Sequence, residues 1–502
     1  MHLNLGFDYF DAKRGVQSAI DLDTAKLING HMLLLGASGT GKSHTLKRLI
    51  AQLDNRPKAG LRVHVFDVHG DLDIPGAQTV VYSEQSEYGL NPFRVNPDEH
   101  FGGVRKAIQA FIRTVNQAST TALGVKQESV LRELLLDVYR DLGFRADDPK
   151  TWSVTALEMG LVSGGGDNRL YLNVPFEEKD KASAMGARWD AQRRSWWVHT
   201  HKYNEGFRRW APAVRPRVYP SIDDLVRYTR LVHEERFMGS DQEAVRALEG
   251  LNKRARALHR KRLELLKSQR TSDNPNGGYD EEAEGELGKL RQTAIDAYSN
   301  YVNKIQTGQE LTNLMKYDSA DVLKSVLDRL NNLKNTGLFK QEIAPFAQAQ
   351  VLRRYKLNAL SQEEKKMFVL FTLQDLFLQA VQRGESTEVR DVLVLDELGT
   401  YTSSDDESGD GVIGTIAREA RKFGVALWAA NQTPAGVPES LMSSCGTKVV
   451  LGLDETHWNA AVSRLRMDTK LLEWVQPTRT LAAQLKERGS LKTRWRWVQL
   501  PA

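Results

Sequence analysis

The sequence predicts an α/β fold with a mostly parallel sheet, interrupted by a small α+β module and by an α-helical hairpin. Three observations carry that expectation. Short apolar runs ending in glycine or in acids alternate with helical stretches, the pattern of strands buried on both faces. A glycine-rich loop joins the first of these runs to a helix. Two internal stretches depart from the alternation, one in tryptophan content and one in periodicity.

In chain order, His31–Gly36 is expected as a buried parallel strand and Lys42–Leu53 as the helix after it. Leu61–Asp67 is a second strand, closed by Val68-His69-Gly70. Asp391–Leu395 is a third, ending in Asp396-Glu397, and Gly424–Ala430 and Lys448–Leu453 are two more. The alternation of Arg494–Val498 reads as an edge strand with one face on the core.

Between these parts, Gly164–Asp167 marks a flexible break. Residues 170 to 211 then hold four of the ten tryptophans, Trp189, Trp196, Trp197 and Trp210. Arg188, Arg193, Arg194, Arg208 and Arg209 interleave with them, a pairing that suits single-stranded nucleic acid. The competing reading makes the tryptophans the core of a small domain, and for Trp189 and Trp197 that reading leads. Further on, Ala244, Leu248, Leu251, Ala255, Leu258 and Leu265 form one apolar stripe. Ala283, Leu287, Leu290, Ala294, Ala297 and Tyr301 form another beyond the turn Asn274–Gly278, so an antiparallel helical hairpin is expected. The cations of its first helix, Lys253, Arg254, Arg256, Arg260, Lys261, Arg262, Lys267 and Arg270, read as a solvated face before a DNA-binding one. The expected organisation is a core in two parts, 1–163 and 319–502, around a module at 164–212 and a helical insertion at 213–318.

Composition bounds the function. With 502 residues, 41% hydrophobic and 26% charged, the chain is not a disordered, collagen-like or coiled-coil-only sequence. A formal net charge of +5 does not by itself argue for nucleic acid. The single cysteine, Cys445, excludes an intramolecular disulfide framework and a cysteine-based metal site, and is expected as a small buried residue. Met1–Tyr9 lacks a signal-peptide pattern. The most apolar long stretch, Met367–Val381, is interrupted by Gln374, Asp375 and Gln379 and is shorter than the ~20 residues of a spanning helix, so it is expected as a buried helix. A cytoplasmic location follows as an expectation.

The chemistry gathers in two motifs. Gly36-Ala37-Ser38-Gly39-Thr40-Gly41-Lys42-Ser43 matches the P-loop pattern, with a strand leading in and the helix from Lys42 leading out, and Gly36, Ser38, Gly39, Thr40, Gly41, Lys42, Ser43 and His44 are expected to bind the nucleotide. The glycines let backbone N–H groups approach phosphate oxygens, and the helix N-terminus adds partial positive charge. Lys42 is expected at the β/γ-phosphates and Ser43 as a Mg²⁺ ligand. Asp396 and Glu397 stand where a parallel strand ends, at the edge where α/β proteins bind ligands. Asp396 is expected in the Mg²⁺ shell and Glu397 as the group that polarises the attacking water, with ATP as substrate.

Several further blocks resemble the HerA/FtsK superfamily of hexameric P-loop ATPases, on the HerA side. They are Phe66–Asp71 with its Asp-x-His-Gly core, Gly89-Leu90-Asn91-Pro92-Phe93, Ser325–Phe339, Ala417–Gly424, Asn431-Gln432-Thr433-Pro434 and Ser443–Lys448. Residues 170–198 resemble a small module of conjugal-transfer primases. The resemblance implies a RecA-like ATPase core, with Gln432 sensing the γ-phosphate. It implies Arg421, or else Arg418, as an arginine finger given to a neighbouring subunit; for Arg418 a salt-bridged surface helix is an equal reading. Asp71 is either an aid to the Mg²⁺ shell or a loop acid with no catalytic role. Four departures stand out. The stretch before the P-loop is too short for the family's usual N-terminal β-barrel, Thr433 stands where an arginine follows the sensor, Ala420 replaces a glycine, and Asp71 replaces a glutamate.

The leading expectation is an ATP-driven DNA translocase or helicase motor. It would work as a homo-hexameric ring with a partner nuclease or effector, in a mobile-element or anti-phage defence setting. A type IV secretion or conjugation ATPase is the alternative. An ATP-dependent assembly scaffold is a third.

Overall fold

The computed structural model describes residues 1–54, 60–119, 121–154, 169–191, 195–199, 202, 205–210, 217–237, 242–271, 281–305, 316–347, 349–402, 411–490 and 493–501. Two units divide the chain: residues 1–122, 142–221 and 334–502 form the first, and residues 123–141 and 222–333 the second. The break at Gly164–Asp167, the turn at Asn274–Gly278, Arg193 and Arg194 lie outside the described residues.

The first unit is built on an eleven-stranded sheet. Its strands are β1 (His2–Asp8), β2 (Ala19–Asp23), β3 (Met32–Leu35), β4 (Arg62–Asp67) and β5 (Gln78–Val81), then, after three strands of the module (β6 to β8, below), β9 (Leu352–Lys356), β10 (Ser386–Leu395), β11 (Phe423–Asn431), β12 (Thr447–Val450), β13 (Thr480–Leu485) and β14 (Trp495–Gln499). They run in the order β2-β1-β14-β13-β12-β3-β11-β10-β4-β9-β5. The seven from β12 to β5 are parallel, so their C-terminal ends share one edge. The other four extend the sheet antiparallel.

The expected strands at 31–36, 61–67, 391–395, 424–430 and 448–453 are all present, and the central ones are apolar on both faces because helices cover both. The helix Lys42–Asp54 buries Leu46, Leu49, Ile50 and Leu53 in the cluster that holds Val63, Val65, Val392, Val394 and Trp428. The stretch around Met367–Val381 is a buried helix, Gln362–Gln382, begun by a capping box in which Ser361 and Glu364 satisfy each other's backbone N–H. Among the described residues, no helix is long and apolar enough to cross a membrane.

One strand differs from its expected place. β14 is no edge strand but pairs with β13 on one side and β1 on the other. Its alternation reflects two unlike faces. Val498 is fully buried, while Trp497 on the other face stacks on Trp474 at 4.5 Å. Cys445 is fully buried as expected, and burial pushes its thiol up to about 12.

Within the first unit, β6 (Arg169–Leu172), β7 (Arg188–Asp190) and β8 (Ser195–His199) form a separate antiparallel sheet ordered β6-β8-β7. Leu172, Ala182, Ala187, Val198, Phe207 and Trp210 make its core. Trp197 is buried, as expected, but Trp189 is 51% exposed. It lies on an edge strand of three residues, its ring set edgewise against Trp196, and the core is already filled by Phe207 and Trp210.

The second unit is helical. Gln242–Thr271 and Glu281–Lys304 pair antiparallel, with Lys261 on Glu286 (2.6 Å) and Lys304 on Glu243 (3.4 Å) crossing in opposite order along the two helices. Ala247, Leu248 and Tyr301 are buried between them. Ala255, expected in the stripe, is exposed instead. In the same unit Asp137 on the helix Val125–Asp141 is buried and receives both Lys316 (2.6 Å) and the Tyr317 hydroxyl.

Candidate functional site

The site is assembled along the C-terminal edge of β3, β11 and β10, three neighbouring strands. β3 leads into a loop, residues 36–41, and the helix Lys42–Asp54 leads away. Gly39 (φ +78) and Gly41 (φ +93) take left-handed conformations that a side chain would strain. Gly36 is required for space: a Cβ there would lie 2.4 Å from Thr40 Oγ1, which bonds Ala37 O at 2.8 Å. Lys42 Nζ donates to Gly36 O (2.7 Å) and Ala37 O (3.0 Å), so its ammonium is held at the mouth of the loop. Burial lowers its pKa, against the opposing pull of Glu397 and Asp396. Ser38 and His44 are exposed at the rim, and Ser43 Oγ lies 3.5 Å from Asp71 Oδ2.

β11 separates β3 from β10, so the acids at the end of β10 come within electrostatic reach of Lys42. Asp396 is buried, and burial raises its pKa first; Asp71 and Glu397 add to the rise, and His69 and Lys42 oppose it. Glu397 is held at φ +58, ψ +60, a costly conformation for a residue other than glycine, and its carboxylate accepts from Gln432 Nε2 at 3.0 Å. Asn431, at the end of β11, accepts from Gly399 N–H (3.0 Å) and donates to Thr433 O (2.7 Å), which ties the segment after Glu397 to the segment holding Gln432.

The residues also fit a nucleotide with Mg²⁺. The loop offers a cradle that a Cβ would fill, and Ser43, Asp396 and Asp71 offer only hard oxygen donors. Mg²⁺ is held by one or two carboxylates together with substrate phosphates, which this set suits.

Two residues near the site have no local sequence signal. Arg354 on β9 is buried, and its Nε (2.9 Å) and Nη2 (2.7 Å) both donate to Asp67 Oδ2 at the end of β4. Asp67 Oδ1 accepts from Gly70 N–H (2.7 Å), and Arg354 reaches Gly70 O and Asp73 as well, so this one side chain pins the loop that carries His69 and Asp71. Tyr401 is fully buried, and its hydroxyl has no hydrogen-bond partner among the described residues. Burial and the nearby Asp396, Glu397 and Asp67 raise its pKa.

Arg418 and Arg421 are not brought to this site. Both line a cleft of about 830 Å³ with Gly30, Ser386, Gly424 and Arg488, at the N-terminal ends of β3, β10 and β11. Gly30 and Gly36 flank β3, so the two ends are separated by about 20 Å of extended chain. Burial, with the charge of Arg421 adding, lowers buried His31 to about 4.

Comparison with known proteins agrees with this geometry. Residues 12–156 match the family described as Helicase HerA, central domain, and residues 169–212 match a domain of unknown function. The second stretch is similar to DNA primase TraC from Escherichia coli, 54% identical over 43 residues in one form and 46% over 54 residues in another. The chain spans only 4% of the length of those primases. In three dimensions it is similar to VirB4 of Thermoanaerobacter pseudethanolicus, with a TM-score of 0.54 at 13% identity, over 100% of this chain and 96% of that one. That likeness is one of fold. The loop built on Gly36 and Lys42 lies inside the stretch that matches the HerA central domain, the chain shares its fold with VirB4, and residues 169–212 are similar to a short segment of DNA primase TraC.

Proposed function

We propose that the chain is a DNA-translocating motor of the helicase type that hydrolyses ATP at the P-loop, working as a homo-hexameric ring. The observation that carries the reading is the bond from Gln432 to Glu397 at the strand edge facing Lys42. It links the water-polarising acid to the next strand over, so a change at the γ-phosphate moves Glu397 and β11 together. Lys42 and the loop N–H groups bind the β- and γ-phosphates, and Ser43 and Asp396 hold Mg²⁺, which screens the phosphate charge. Glu397 orients water and takes its proton. Arg421, with Arg418 beside it, completes the site of a neighbouring copy. The partner is a nuclease or effector protein that acts on the DNA delivered, in a bacterial mobile-element or anti-phage setting in the cytoplasm.

A second reading is an ATPase that powers a conjugation or type IV secretion machine. The module shared with DNA primase TraC favours it, as does the fold shared with VirB4. The deciding experiment is the ATPase rate of the purified chain with duplex DNA, with single-stranded DNA and with neither, beside a Glu397→Gln variant. Stimulation by duplex supports the motor, and the variant is expected to bind nucleotide while losing 10²–10⁴-fold in rate. Turnover indifferent to both DNA forms favours the secretion reading. A Glu397→Gln chain with full biological activity would leave only an assembly scaffold.

A further inference from the structure

The hairpin of the helical unit carries many cations, and they do not share one fate. Lys261 and Lys304 are paired across the hairpin with Glu286 and Glu243. Lys253, Arg256 and Arg260 instead share one face of the helix Gln242–Thr271, at steps of three and four residues, all exposed. They line a groove of about 630 Å³ with Glu249, Asn252, Lys126, Asp318 and Ser319. Lys126 and Asp318 neutralise each other at 2.9 Å. Among the described residues, Lys253, Arg256 and Arg260 have no ion pair or hydrogen bond, so Glu249 alone stands against three cations.

We propose that this groove binds the phosphodiester backbone of nucleic acid. The proposal rests on the DNA reading above and adds a contact surface that lies apart from the P-loop. From Lys253 to Arg260 is about 10 Å of helix, the axial rise of about three phosphates on one strand of a duplex. Among the described residues no lining residue is aromatic, so the groove holds phosphates and does not read or stack bases. Binding there is independent of sequence and falls steeply with salt.

The test uses the full chain without nucleotide, labelled duplex and single-stranded oligonucleotides, and anisotropy over a salt series. A Lys253→Gln/Arg256→Gln/Arg260→Gln variant is compared with Arg254→Gln/Arg262→Gln, two exposed cations of the same helix outside the groove. The groove variant is expected to lose at least tenfold in affinity. Its log K against log salt slope should become shallower by about 2 to 3 for duplex, at ~0.9 per phosphate, or by about 2 if single strand is the ligand, at ~0.7. Its DNA-free ATPase rate should not change. Equal loss per charge in the two variants would overturn the groove in favour of net charge alone. Unchanged affinity and slope with both forms would overturn the groove and leave the motor reading standing. Failure of the parent chain to bind either form would overturn both.

Discussion

Asp396 is the residue at which stability and the proposed activity are set against each other. Its carboxylate is buried beside Asp71 and Glu397, and its pKa is raised above the ordinary value. A raised carboxylate pKa means the folded protein disfavours the charged form, so the cost is present above the folded pKa and vanishes as pH falls below the ordinary value near 4. Asp396→Asn is therefore expected to raise the melting temperature of the nucleotide-free chain at neutral pH, with the gain shrinking on acidification, while ATP hydrolysis is abolished. Melting curves of both proteins across pH check it; a variant that melts lower at neutral pH would contradict the burial argument. At this scale the P-loop was legible because its glycines, Lys42 and Ser43 are consecutive and their spacing carries the chemistry. Arg354 and Tyr401 were not. An arginine in Leu352-Arg353-Arg354-Tyr355-Lys356 has no local signal for a carboxylate 287 positions away.

At the scale of elements, the loop after β4 owes its shape to β9. Arg354 is the buried counter-charge of Asp67, a fully buried acid whose other oxygen caps Gly70. Removing one partner of a buried pair leaves the other charge uncompensated and costs about 3–5 kcal/mol. Arg354→Met is expected to destabilise the chain by that order and to weaken Mg²⁺-dependent hydrolysis by releasing Asp71. Denaturant unfolding and the Mg²⁺ dependence of the ATPase rate check the two halves. Buried apolar strands such as β3, β10 and β11 were legible as runs. β9, β5 and β13 carry no such signal, since β9 is rich in charge and β5 and β13 are short mixed runs. The alternation of β14 marks a strand but not its place in the sheet, because alternation reports two unlike faces and says nothing about how many neighbours a strand has. The same limit explains Trp189: tryptophan content signals a core, and only the filling of that core by Phe207 and Trp210 decides which rings are left outside.

At the scale of the molecule, the opposite ends of the parallel strands carry opposite halves of the proposed chemistry. Arg421 is about 20 Å of strand from the loop of its own chain, so the finger role proposed for it requires a second copy. Arg421→Ala is expected to lower the ATPase rate about 10³-fold. Mixing it with Lys42→Ala, which keeps Arg421 but lacks its own phosphate lysine, is expected to restore a measurable share. Sedimentation with ATP should find a multimer. A monomer, or a mixture no more active than its parts, would contradict the assignment.

The α/β class, the Gly36–Ser43 loop between a strand and a helix, the acids at the end of β10 and the change of character at the tryptophan-rich and helical stretches are all legible from local sequence. Each is written in neighbouring residues, as a run, a spacing or a period. The bond of Gln432 to Glu397, the hold of Arg354 on Asp67, the exposure of Trp189 and the place of Arg418 and Arg421 at the strand ends opposite their own P-loop arise from long-range packing. Those relations depend on the order of strands in the sheet, which long-range packing selects and no local pattern encodes.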